Sequence, residues 1–177
     1  IDAPFNRHTE KVDGIQISPD LTLAFIRSAS TVYVYDLGDD EASLKATIKP
    51  EFSIENTQLT TMALLSGGSS LLLGDNRGQV SQWFEMATEK GRQFKKIRTF
   101  TSNNGDEPNA NNSITNIYPE RFRKSFYTLT ANSDLNVFYT TSEAHLWQGK
   151  LTEDNMETLA IAPRADGLVL ISSTLVL

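Results

Sequence analysis

Residues 62–84 read Met62-Ala63-Leu64-Leu65, a turn at Ser66-Gly67-Gly68, a second apolar run from Ser70 to Gly74, a turn at Asp75-Asn76-Arg77-Gly78, and then Gln79-Val80-Ser81-Gln82-Trp83-Phe84. Three short runs are separated by two clusters of turn formers, the arrangement of three strands joined by tight hairpins. Glycine and Asp-Asn-Arg-Gly supply residues that tolerate positive φ, as such hairpins require. Val80 and the aromatics around it suit a pleated surface, and the period is two.

Working outward, the same order recurs. Upstream it runs Gly14 to Asp20, Leu21 to Ile26 and Thr31 to Asp36. Downstream it runs Ile114 to Glu120, Ser125 to Thr130, the turn Ala131-Asn132-Ser133-Asp134, and Leu135 to Tyr139. A fourth copy runs Leu159 to Arg164, the turn Ala165-Asp166-Gly167, and Leu168 to Ile171. With Ile17, Leu64, Ile117 and Ile161 as anchors the spacings are 47, 53 and 44 residues, at or a little above the ~40–45 of WD40-type blades. The pattern predicts an all-β fold of β-propeller-like (WD40-like) repeats, with about four blade motifs near 14–36, 62–84, 114–139 and 159–171 in one domain spanning 1–177. The fourth motif lacks its outer strands, and propellers usually close with about four to eight blades, so a partial propeller is expected. A β-sandwich also has evenly spaced strands. It gives no reason for the Ser-Pro-Asp, Ser-Gly-Gly, Tyr-Pro-Glu and Ala-Pro-Arg turns to follow the first strand at the same place. Nothing longer than a few residues shows helical periodicity; Asp39–Lys45 and Thr141–Leu146 read as loops or single turns.

The alignment predicts burial of Ile17, Leu64, Val80, Trp83, Ile117 and Ile161, and exposure of Arg77 and of Asn103 to Asn112. The polar stretch Asn103 to Ser113 reads as a flexible loop that accounts for the long second spacing, and Asn111-Asn112-Ser113 matches a glycosylation acceptor. An open arc leaves strand edges uncovered. Self-association into a homo-oligomer is therefore expected, or closure by a strand drawn from Ile1 to Glu10.

Composition narrows the function. The formal net charge is -6, with 39% hydrophobic and 21% charged residues, an ordinary globular balance. The acidic balance argues against nucleic acid as a partner, which needs a basic face. With no cysteine, disulfides, thiolate nucleophiles and thiolate zinc sites drop out together. No apolar run approaches the ~18 residues that span a bilayer. The chain reads as soluble and, starting at Ile1 without an initiator Met or signal peptide, as a piece excised from something longer.

Catalytic sets are missing from the sequence. His8 and His145 are the only histidines and lie in different repeats. There is no Gly-x-Ser-x-Gly, phosphate loop, His-Glu-x-x-His or dinucleotide turn, and Ser66-Gly67-Gly68 joins two strands. The acidic run Asp36, Asp39, Asp40, Glu41 lacks EF-hand spacing and reads as a solvated loop. No enzyme, cofactor or metal is expected. Basic residues cluster twice. Lys90 to Arg98 alternates along an outer strand, with Phe94 and Ile97 on its apolar side. Arg121, Arg123 and Lys124 lie in a turn between strands, with Arg164 in the matching turn of the fourth motif. Turns commonly carry binding residues, so these four are the candidate site for an anion or an acidic partner.

Leu73 to Phe84, Pro119 to Phe126, Tyr139-Thr140-Thr141-Ser142 and Ala162 to Leu168 resemble segments of the large extra-membrane domain inserted in certain bacterial phosphate-type ABC transporter permease subunits. The resemblance runs from about Gly14 onward, and Gly74-Asp75 with Val80-Ser81-Gln82-Trp83-Phe84 is its most specific part. It implies a periplasmic, non-catalytic domain of an inner-membrane protein. Implied partners are other transporter subunits or a periplasmic solute-binding protein. The alternative from the residues alone is a free-standing propeller scaffold for protein interaction with no transport role.

Overall fold

The computed structural model describes residues 11–38, 41–65, 67–68, 70–89, 91–101, 112–121, 124–151 and, by backbone alone, 156–161 and 168–172. Alternating apolar residues and positive-φ turns produce β-structure throughout, and the described residues include no α-helix. Three four-stranded antiparallel sheets follow one another in chain order. Blade 1 is β1 (Gly14–Ile17), β2 (Leu23–Arg27), β3 (Val32–Asp36) and β4 (Ser43–Ile48). Blade 2 is β5 (Leu59–Leu64), β6 (Ser70–Asp75), β7 (Gln79–Thr88) and β8 (Gly91–Thr101). Blade 3 is β9 (Ile114–Pro119), β10 (Ser125–Thr130), β11 (Asp134–Tyr139) and β12 (His145–Lys150). A two-stranded sheet of β13 (Met156–Ile161) and β14 (Leu168–Ser172) follows. The first strands β1, β5, β9 and β13 run beside one another, while of the outer strands β4 and β8 approach. The sheets therefore fan out from a shared inner edge, as blades of a partial propeller do.

Two apolar seams bind the blades. Phe25, Val32, Val34 and Ile48 of blade 1 pack on Leu59, Met62, Leu71, Leu73 and Trp83 of blade 2. The opposite face of blade 2 sends Ala63, Leu72, Val80 and Phe100 against Ile114, Ile117, Phe126 and Phe138 of blade 3. Phe100 meets Phe126 edge-on at 4.9 Å between centroids. Burying such large side chains supplies about 1.5–3 kcal/mol each, which is why strand faces on both sides of blade 2 are apolar. Polar links reinforce the inner edge. Arg27 Nη1 donates to the Leu59 carbonyl at 2.7 Å and Thr60 Oγ1 to the Ile114 carbonyl at 2.6 Å.

The repeat is deeper than its apolar pattern. Cross-strand pairs Ala24↔Tyr35, Leu71↔Trp83 and Phe126↔Phe138 are equivalent. In each blade the outer strand carries a bulge beside that aromatic, leaving Lys45, Ile97 and Leu146 as the extra residues. The hairpin between the second and third strands is closed each time by a side-chain oxygen at one position. Ser28 Oγ accepts from Thr31 N at 3.2 Å, and Thr130 Oγ1 accepts from Asp134 N at 3.1 Å. Asp75 Oδ1 accepts from both Arg77 N, at 2.8 Å, and Gln79 N, at 2.9 Å. Gly78, at φ 86°, completes the Asp75 turn.

Several expectations need correction. Ile17 is 51% exposed and Ile15 59%. Their face of blade 1 is the one that blades 2 and 3 press onto a preceding blade, and no blade precedes it among the described residues. Leu64 is half-buried against the first seam, while Val80, Trp83 and Ile117 are buried. By strand register Leu64 stands with Ile17, but Ile117 stands with Met62, and Pro119 takes the Leu64 place. A shift of two residues preserves the face and so leaves no trace in the pattern. Pro119 ends β9 whereas Pro19 lies in a turn, so those two prolines are not equivalent. Arg77 is half-buried because its guanidinium donates to the Glu55 carbonyl at 3.2 Å. Asn112 is also half-buried, its Cβ lying within 3.1 Å of where a Cβ on Gly78 would stand. Ile97 does not share a face with Phe94. Phe94 meets Phe25 edge-on at 5.9 Å, and the bulge turns Ile97 the other way. Ile1 to Glu10, residues 103–111, the side chain of Ile161 and the turn at 162–167 lie outside the described residues.

Candidate functional site: a cleft between blades 2 and 3

The blades differ in the length of their outer hairpins. Strands β7 and β8 span 10 and 11 residues, against 6 each for β11 and β12. The β7–β8 hairpin therefore overshoots its neighbour. Along β7 the alternation Val80, Gln82, Phe84, Met86 points toward blade 3. The first two are buried. Phe84, which matches the last residue of β11, is 37% exposed, and Met86, which lies past the reach of the shorter hairpin, is 44% exposed. The bulge residue Ile97 joins them at 38%. On the other face the overshoot is covered, with Phe94 in the first seam and Glu85 paired to Lys45 at 3.2 Å and Arg92 at 3.4 Å.

The uncovered face forms one wall of a cleft of about 630 Å³. Phe84, Met86, Ile97 and Arg98 stand on the blade 2 side, with Leu65 at the end of the β5–β6 turn. The blade 3 wall is the β9–β10 turn, with Glu120, Arg121, Lys124 and Ser125, and the residues Thr140 and Thr141 that follow β11. A polar chain lies along the floor. Arg98 Nη1 donates to Gln82 Oε1 at 3.3 Å, and Gln82 Nε2 donates to Ser70 Oγ at 3.3 Å. Glu120 is buried at 3% exposure and accepts the Ser125 hydroxyl. The Thr140 hydroxyl donates to the Lys124 carbonyl at 3.1 Å and so fixes the turn that carries the cations.

Two of the four sequence-predicted site residues meet here. Arg121 and Lys124 are exposed on the rim, and neither forms an ion pair among the described residues. Arg123 and Arg164 lie outside the described residues. The sequence reading missed Phe84, Met86, Ile97 and Arg98 as site residues. The signal available was the alternation continuing past Trp83 to Met86, longer than the third strand of any other repeat.

His145 belongs to the blade 2–blade 3 seam. Its ring stacks on Phe138 at 4.8 Å, and Nε2 lies 3.1 Å from Asn136 Oδ1. Burial lowers its pKa. His8 lies outside the described residues. In the acidic run Asp36 Oδ1 accepts from Gly38 N at 2.9 Å; Asp39 and Asp40 are outside the described residues. Among the described residues no group of three His, Cys, Asp or Glu could hold a metal, and no helix is long and apolar enough to cross a membrane.

No protein-family model matches the chain, and no curated protein matches it in sequence. Solved structures do. The Saccharomyces cerevisiae Sqt1 structure superposes with a TM-score of 0.71 at 14% identity, covering 94% of this chain and 43% of that one. The RRP9 WD40 repeats give 0.66 at 15%, covering 86% and 42%. U3-55K gives 0.66 at 14%, covering 86% and 43%. The chain has a WD40-type propeller fold, and it spans less than half the length of these structures.

Proposed function

We propose that this chain is a non-catalytic protein-interaction scaffold that engages a partner through the cleft between blades 2 and 3. The observation carrying this reading is the gathering of the exposed apolar residues Phe84, Met86 and Ile97 in one cleft beside a basic rim. Exposed apolar residues gathered in a groove with polar edges have the make-up of a protein-binding surface. The WD40-type fold supports a scaffolding role by analogy. A photo-reactive amino acid at position 84, compared with one at the exposed Thr47 of β4, tests it in cells. Adducts to a defined protein at 84 and not at 47 are expected; equal labelling at both positions sinks the cleft as the contact surface.

Self-association is part of the proposal. Ile15, Ile17 and Leu44 leave an apolar face exposed on blade 1, which a second copy is suited to cover. Sedimentation velocity over a concentration series is expected to show an assembly that Ile17→Asp dissolves, and a monomer at every concentration overturns this part.

A narrower reading makes the scaffold a periplasmic module of a phosphate-type permease, contacting transporter subunits or a solute-binding protein. It is supported by the resemblance of Leu73 to Phe84, Pro119 to Phe126, Tyr139 to Ser142 and Ala162 to Leu168. A reporter fused at the Gly67-Gly68 turn distinguishes compartments. Activity confined to the cytoplasm rejects this reading and leaves the scaffold.

A further inference from the structure

We infer that the cleft takes an extended peptide segment carrying an acidic side chain next to a large apolar one, an inference that rests on the cleft being the scaffold's binding surface. Charge and shape point to the same occupant. The chain as a whole is acidic, with a net charge of -6, yet among the described residues the cleft is lined by the cations Arg98, Arg121 and Lys124 and the carboxylate of Glu120. That carboxylate is buried and turned onto Ser125, so an incoming ligand meets the cations. Arg98 is held by Gln82 at 3.3 Å, which orders its guanidinium without neutralising it, and an ordered guanidinium favours a carboxylate, which it can grip through two parallel hydrogen bonds. Opposite the rim, Phe84, Met86 and Ile97 offer a flexible apolar surface of the kind that adapts to one aliphatic or aromatic anchor. A trough between two walls fits an extended chain better than it fits a flat lipid surface.

The experiment is selection from a random peptide display library on the immobilised chain, followed by fluorescence polarisation of the winning peptides. Enriched sequences are expected to place Asp or Glu beside Phe, Leu, Ile or Met. Their binding should weaken at least about tenfold in Arg121→Glu/Lys124→Glu and also in Met86→Asp, and it should fall as salt is raised. All these positions are exposed, so unchanged thermal melts identify variants that remain folded. Enriched peptides that lack acidic residues but lose binding in Met86→Asp overturn the inference and leave the cleft as the scaffold's binding surface, whereas peptides that bind both variants unchanged overturn both readings. Absence of any enrichment overturns both. Charge-dependent binding to phosphatidylglycerol vesicles without peptide enrichment assigns the cations to a membrane and likewise overturns the inference.

Discussion

Ile17 and Leu64 hold one place in successive blades, Ile17 opposite Ala24 and Leu64 opposite Leu71, yet Leu64 packs into a seam while Ile17 is 51% exposed. The two positions are expected to respond differently to truncation. Ile17→Ala should cost under about 1 kcal/mol because little buried surface is lost, whereas Leu64→Ala, which uncovers part of the first seam, should cost clearly more, about 2 kcal/mol. Urea denaturation of the two variants decides it, and equal losses contradict the blade register.

Trp83 is buried on the blade 1 side, and its Nε1–H donates to Ser81 Oγ at 2.9 Å. Trp83→Ala should cost about 3–5 kcal/mol. Trp83→Phe keeps most of the ring contact and loses the hydrogen bond, so a smaller loss is expected. Thermal melts that leave the alanine variant unchanged remove the first seam from the account of stability.

Gly74 of β6 lies close against side chains of β5 and β9. A Cβ there would lie 2.8 Å from Thr61 Cγ2 and 2.9 Å from Ile114 Cγ2. Both neighbours are β-branched and stiff at χ1. Gly74→Ala should destabilise by about 1–3 kcal/mol through overpacking, despite alanine's lower backbone entropy cost. A melt at or above the parent's temperature contradicts this close approach.

Thr128 is fully buried, and its Oγ1 has no hydrogen-bond partner among the described residues. A hydroxyl desolvated without compensation is unfavourable. Thr128→Val is therefore expected to be neutral or to stabilise by about 1 kcal/mol, one of few core changes here with that sign. A clear loss of stability for the valine variant means that the hydroxyl is satisfied in solution.

Asp75 titrates above the ordinary aspartate range because burial disfavours its charged form, an effect partly offset by the backbone N–H groups of Gln79 and Arg77. Over the interval between the ordinary and the raised value the folded chain binds the proton more tightly than the unfolded one. Its contribution to stability is thus greatest below that interval and declines as pH rises through it. Asp75→Asn keeps an acceptor for both N–H groups without the charge. The stability of the parent relative to this variant should fall as pH rises from the acid end, measured by denaturant titration at each pH. The opposite slope refutes the direction of the shift.

The sequence by itself determined the strands, the tight turns and the repeat, because period-two alternation around Val34, Val80 and Val137 and glycine at positive φ are local signals. It also put forward Arg121 and Lys124 as candidates, since a run of cations in a turn is visible without a fold. Tertiary structure decided the rest. Ile17 and Leu64 look alike in the chain, and only whether a blade packs on that face among the described residues separates them. Phe94 and Ile97 look like one face, and a bulge set by pairing with Gln82 and Trp83 puts them on two. The cleft itself is lined from two blades that pack side by side, and no single strand contains it. Local backbone preference writes the elements, while burial depends on what each face meets, which is a property of the packed blades.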